Sequence, residues 1–251
     1  MLFNFRGQDL ADEFRNSSYT RSFAAGRGGD DLLVGGPVED HFSGGTGNDT
    51  LIGNGGDDNL QGYYGDDIID GGPGDDDLYG GSGDDIIDGG SGDDYIRGND
   101  GEDWIEGGTG NDHLEGNDDN DNIMGEGGHD VLDGGDGDDL LQGGNGNDIL
   151  IGGAGLDVLQ GEAGDDDLYG NAFKNSYNLE EGPLTADGQQ DVMTGGAGCD
   201  DFYSVLLGST YMNYGSKYSA LPVVEAEQVT DKQSCDTIHR RKLPRILVTL
   251  P

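Results

Sequence analysis

The carboxylates of this chain come in register. Asp31, Asp40, Asp49, Asp58, Asp67, Asp76, Asp85, Asp94, Asp103, Asp112, Asp121, Asp130, Asp139, Asp148, Asp157 and Asp166 follow one another at nine-residue intervals without a break. A glycine stands five residues before each, from Gly26 to Gly161, and a Leu, Ile or Phe two residues after, from Leu33 to Leu168. The residue two before the Asp is Gly in fourteen of the sixteen units; Val38 and Asp119 are the exceptions. Two carboxylates can act as general acid and base, but here pairs occur everywhere and none is singled out. Carboxylates beside glycine-rich backbone can also hold a hard cation, which takes several oxygens from side chains and carbonyls. Regular repetition of like charge favours that second chemistry.

Short elements must position these groups. The three residues around each apolar position read as a brief strand, with the apolar side chain on one side and its neighbours on the other. The six Gly-rich residues between read as a turn, since Gly takes the positive φ that tight turns need. Two units then make a flat lap of eighteen residues, and successive laps pair as parallel strands about 4.8 Å apart. Residue i stacks on residue i+18, so Asp76 is expected under Asp94 and Asp85 under Asp103. All apolar positions face inward between two sheets.

The units GGPGDDDLY (71–79) and GGSGDDIID (80–88) carry the pattern most fully. It resembles the haemolysin-type, or RTX, calcium-binding nonapeptide repeat, G-G-x-G-x-D-x-U-x with U apolar. The resemblance covers about 26–203. After Gly170-Asn171 the stretch 172–190 carries no repeat and reads as an insert, and Gly195–Tyr203 form one more unit containing Asp200. The resemblance implies an all-β fold, a right-handed parallel β-roll (a two-sheet solenoid, 18 residues per turn) with short capping flanks. It also implies calcium between the turns. The sixteen aspartates and Asp200 are the expected side-chain ligands. They are joined by backbone carbonyls of turn residues such as Gly44, Gly47, Gly71, Gly74, Gly80, Gly83, Gly89, Gly92, Gly107, Gly110, Gly134, Gly137, Gly143 and Gly146. Sixteen units, less the two of the first lap, leave up to about fourteen stacked pairs and as many ions, in two rows. The residues just before the Asp, such as Asn48, Asp57 and Glu102, are expected to tune local charge rather than ligate. Val38, which follows Pro37, is poorly suited to a positive-φ turn, so turns involving it and Asp119 are expected to bind more weakly; Asp119 offers an extra oxygen.

Composition fits cations as partners. The 52 acidic and 12 basic residues of the 251-residue chain leave a net charge of −40. Nucleic acid and anionic membrane surfaces are poor partners for such a chain. Low hydrophobicity with high net charge is the signature of disorder unless something neutralises the charge. The chain is therefore expected to be largely unfolded without calcium and to fold on binding it. No run of apolar residues is long enough to span a membrane. Asp9 and Asp12 stand where a signal peptide needs an apolar core. The resemblance points to a secreted or surface protein exported by bacterial type I secretion. Calcium sites of extracellular modules suit an environment where the metal is plentiful. The spacing of Cys199 and Cys235 leaves a disulfide and two unpaired thiols equally open.

The flanks are read as an N-terminal cap (1–25) and a C-terminal cap or secretion segment (204–251) around the roll at 26–203. Asp9–Asn16 is expected to form a short helix with Leu10 and Phe14 on one side. One outward ladder is unusually apolar: Leu32, Thr50, Ile68, Ile86, Trp104, Asn122, Leu140 and Val158. An exposed apolar strip calls for a cover or a partner: the N-terminal residues, the insert, another molecule, or packing within the ladder itself. Between 35 and 170 Arg97 is the only basic residue, so the basic flanks could dock on the acidic roll. Val229-Thr230-Asp231 is similar to the stretch that follows the last repeat in the family, although Lys232 replaces the usual Phe.

No H-E-x-x-H or G-x-S-x-G occurs, and His41, His113, His129 and His239 are scattered. Enzymes of the resembled family carry catalytic domains upstream of their repeats, and 25 residues are too few for one. A non-enzymatic calcium-binding protein with a structural or surface role is the expectation. The alternatives are an adhesion or surface-recognition module, or a non-catalytic portion related to a secreted enzyme or toxin of the resembled family. Ice binding is disfavoured, because only Thr46-Gly47-Asn48-Asp49 and Thr109-Gly110-Asn111-Asp112 have the outward Thr-Gly-Asn-Asp form.

Overall fold

The computed structural model of the chain describes residues 3–171, 192–197, 201–206, 210–211, 222–223, 228–229 and 237–242. Cys199, Asp200, Cys235 and the insert at 172–190 lie outside them. Among the described residues there is no helix, and so none that could cross a membrane. Strands alternate between two sheets along the chain. One sheet has twelve strands from Phe3–Arg6 to Thr237–Lys242; the other has eleven, from Glu13–Arg15 to Gln228–Val229. Every neighbouring pair in both is parallel; a separate antiparallel pair joins Thr210–Tyr211 to Pro222–Val223. Ile86 pairs with Ile68 on one side and Trp104 on the other, which is the eighteen-residue lap expected from two repeats.

The inward row is continuous. Leu33, Leu51, Leu60, Leu78, Ile87, Ile96, Ile105, Leu114 and their equivalents through Leu168 have almost no exposure. The row continues past the insert, because Val158–Ala163 pairs with Val192–Ala197 and Met193 is fully buried. The strands on either side of 172–190 thus keep the register of the roll.

Three expectations change. The strands are mostly six residues long, not three: Ile86–Ser91, for example, runs on through Gly89 and Gly90. The first two residues of most units thus lie in the sheet, and only about three residues turn the corner. Leu32–Val34 and Thr50–Ile52 stay short. Asp9–Asn16 carries the strand Glu13–Arg15 in place of a helix; Phe14 points inward while Leu10 is exposed. The roll's core claims Phe14, and tertiary pairing overrides local helical spacing. Finally, the N-terminal residues do not cover the apolar ladder. They add strands to the ends of both sheets, leaving Ile68, Ile86 and Trp104 exposed by 48, 52 and 44%. At the N-terminal end of the core Phe5 stacks on Phe14 with ring centroids 5.2 Å apart, and Phe14 meets Phe42 edge to face at 5.9 Å.

Candidate calcium ladder

The corner residues are held by two ladders running in opposite directions. In the first, each repeat Asp reaches back one lap. Asp76 N–H donates to Asp94 Oδ1 at 2.8 Å, and Asp85 N–H to Asp103 Oδ1 at 2.8 Å. The same contact recurs from Asp31 N–H with Asp49 Oδ1 to Asp148 N–H with Asp166 Oδ1. All sixteen aspartates are buried. In the second ladder, the preceding residue reaches forward one lap. Asn48 N–H donates to Asp30 Oδ1 at 3.0 Å, Asn111 N–H to Asp93 Oδ1 at 2.7 Å, and Asn147 N–H to His129 Nδ1 at 2.8 Å. Asn48 and Asp57 thus accept amides of the next lap, a structural duty that charge counting missed. The signal was present as a preference for Asp and Asn at that position, whose short side chains reach nearby backbone.

The second oxygen of the buried aspartates is the reactive feature. Oδ2 of Asp31, Asp49, Asp58, Asp67, Asp76, Asp85, Asp94, Asp103, Asp112, Asp121, Asp130, Asp139 and Asp148 is buried and accepts no hydrogen bond. A buried acceptor without a partner is costly. Its surroundings show what it faces. A Cβ built on Gly71 would stand 2.5 Å from Asp76 Oδ2 and 2.8 Å from the carbonyl oxygen of Gly89, one lap on. Gly53, Gly62, Gly80 and Gly89 repeat the arrangement with Asp58, Asp67, Asp85 and Asp94. The invariant first glycine keeps this space open. It does not need a positive φ, and turn-forming is not its purpose.

The second position of the unit decides whether Oδ2 is free. It has positive φ at Gly45, Gly72, Gly81 and Gly90, and also where the residue is not glycine: Arg27, Asn54, Tyr63, Asn99, Asn117, Glu126 and Glu162. Gly36 is the exception within the repeats. Its N–H turns inward and donates to Asp40 Oδ2 at 2.7 Å. Gln8 does the same to Asp12 Oδ2 at 2.6 Å. Rotating the second residue into the left-handed region therefore removes the amide that would otherwise satisfy the carboxylate. Val38 is not in that region either, whereas Asp119 takes φ 77° and keeps the common turn. The two departures in the repeat thus differ: one turn is altered and the other conforms.

Charge crowding shows in the acid–base properties. Burial pushes Asp58, Asp85 and Asp121 up to about 8, and Asp49, Asp94, Asp103 and Asp130 to about 7, opposed by the amide each accepts and helped by neighbouring carboxylates. Asp67, Asp76, Asp112 and Asp139 rise to about 6, again chiefly through burial. A cation beside Oδ2 would reverse this preference for the neutral form. No three His, Cys, Asp or Glu side chains converge on one point among the described residues. A hard cation here would complete its oxygen shell from backbone carbonyls, as calcium does. The donor set of Asp oxygen and glycine carbonyl fits that metal.

The sequence model of the RTX calcium-binding nonapeptide repeat (4 copies) matches residues 43–78, 52–87, 79–114, 97–132, 115–150 and 142–176. These overlapping matches span more than half of the chain. No curated protein matches it.

Proposed function

Because the chain belongs to the RTX calcium-binding nonapeptide repeat family, we propose that its β-roll folds on calcium and serves outside the cell as a structural or surface element without catalysis of its own. Repeats of this family form a structural calcium-binding domain and are typical of secreted proteins. The observation that carries the reading is the row of buried aspartate oxygens with no hydrogen-bond donor, each facing a glycine that leaves room beside it. Side-chain ligands are Asp31, Asp49 and their equivalents to Asp166, continued by Asp200. Carbonyls of the first-position glycines, such as Gly71, Gly80 and Gly89, complete the shell. Asp40 takes the weakest part.

Bound calcium supplies charge neutralisation between laps. The chain's own residues supply the rest: the two amide ladders hold successive corners in register, and the inward Leu and Ile row closes the core. A net charge of −40 opposes that closure until the metal is present. The same dependence supports type I export, in which a chain kept unfolded in a calcium-poor cytosol folds after release. Far-UV circular dichroism in chelator and then in millimolar calcium tests the reading. A β-sheet signal that calcium leaves unchanged would contradict it.

A further inference from the structure

The outward face of the twelve-stranded sheet carries a hollow of about 430 Å³ that shares only Gly80 with the proposed calcium ligands. It lies within the range of about 300–1,000 Å³ usual for small-molecule sites. Its walls include Tyr63, Tyr64 and Tyr79, with Gln61, Asn99 and Asp100 at its margins. The register explains how it forms. Tyr63 pairs with Gly81, and Gly81 with Asn99. A residue with no side chain thus sits between two that have one, leaving a slot two laps wide, about 10 Å between backbones.

The tyrosines are out of pattern. Tyr63 occupies the second position of its unit, which most units fill with Gly, and adopts φ 81°. The corner itself imposes that conformation, as at Asn54 and Glu126, but among the repeats only this unit meets it with an aromatic ring. Tyr63 and Tyr64 are exposed by 47 and 62% and buttress nothing in the core. The polar rim is of a particular kind. Asp100 Oδ2 accepts from Ser82 Oγ at 3.3 Å, and Asn99 turns its amide nitrogen to Gly98 O at 2.8 Å. A carboxylate and an amide therefore line the same hollow as the three tyrosines.

We infer that the Tyr63–Tyr64–Tyr79 hollow is a binding site for a neutral saccharide ring. A sugar ring has one face of C–H groups, which packs on an aromatic ring, and an edge of hydroxyls, which donate to groups such as Asp100 and Asn99. A purely apolar ligand would desolvate those polar groups without return. An acidic saccharide would meet the field of a strongly negative protein. Arg97, which pairs with Tyr79 in register, is already committed to Glu115 at 2.8 Å and lies over the Tyr95 ring.

The test uses the full chain in excess calcium, with its fold monitored by circular dichroism in the same buffer. Calorimetric titration with cellohexaose, maltohexaose and the hexamer of N-acetylglucosamine should show binding of at least one. Tyr63→Gly restores the common repeat residue at a conformation glycine tolerates, so it should fold at least as well while weakening that binding tenfold or more. Tyr64→Ser is a second variant with the same expectation. Ile86→Ser, on the opposite sheet, should bind like the parent. Folded protein that binds none of the three sugars, or Tyr63→Gly and Tyr64→Ser variants that bind like the parent, would overturn the inference. A fold that ignores calcium would instead count against the calcium reading and leave the sugar titration to be judged separately.

Discussion

Gly36 N–H donates to Asp40 Oδ2 at 2.7 Å, and this one bond separates Asp40 from the repeat aspartates whose second oxygen has no donor. If free Oδ2 groups hold the metal, Asp40 adds little. Asp76→Asn should lower the number of calcium ions bound per folded chain and the apparent affinity, and Asp40→Asn should change neither by much. Metal analysis after equilibrium dialysis, with calorimetric titration, reads both. Equal losses in the two variants would show that the Gly36 contact does not matter.

Protons should partly replace calcium. In the metal-free roll, burial raises Asp58 and Asp85 from an ordinary value near 3.8 to about 8, and Asp76 to about 6. A group whose pKa is higher in the folded state binds its proton more tightly there. Its contribution to folding is therefore present below about pH 4 and lost as pH rises through about 6–8. In chelator, acidifying from pH 8 to pH 5 should increase the β-sheet signal. In calcium the dependence reverses, and metal affinity should fall over the same interval. An acid-induced loss of structure in chelator would be the contrary result.

The lap, both sheets and the inward row were legible because the nine-residue period is strict and its apolar position never fails. The same regularity located Asp76 under Asp94. The N-terminal repeat was not legible. Gly7, Asp12 and Phe14 stand at the first, sixth and eighth places of a unit, and Asp12 N–H donates to Asp31 Oδ1 at 2.6 Å like any other rung. The next stretch hides it: one residue is inserted, Asn16 replaces the glycine, and Ser22 takes the place of the Asp, its N–H donating to Asp40 Oδ1. Asn16 Nδ2 also bonds Ser22 Oγ at 2.6 Å, so a neutral pair fills the space that Gly and carboxylate leave elsewhere. The role of the second position was hidden for another reason. Its residue type varies while its φ is kept, and only coordinates show φ.

Glycines of the first and second positions should fail differently when changed. Gly71→Ala places a methyl group against Asp76 Oδ2 and the Gly89 carbonyl, which is the space assigned to the ion. It should reduce calcium affinity as well as stability. Gly72 has φ 95° and no repeat carboxylate against it. Gly72→Ala should cost about 1–3 kcal/mol of stability through strain with a smaller effect on the affinity of the folded chain. Urea unfolding at fixed free calcium, paired with calcium titration, separates the two. Identical effects on affinity would remove the distinction between the positions.

The inward and outward sides of one strand should differ most sharply at Ile105 and Trp104. Ile105 is fully buried between laps, whereas Trp104 is 44% exposed and donates from Nε1 to Glu106 at 2.8 Å. Ile105→Ala should cost about 2–5 kcal/mol. Each lap of a solenoid is stabilised mainly by its neighbours, so the damage should centre on the laps of Ile87 and Ile123, which pair with it. Hydrogen exchange in saturating calcium should show faster exchange there than near Leu33. Trp104→Ser should leave exchange nearly unchanged. A large loss of protection in Trp104→Ser would mean that this ladder is covered in solution and would identify Trp104 as part of the contact.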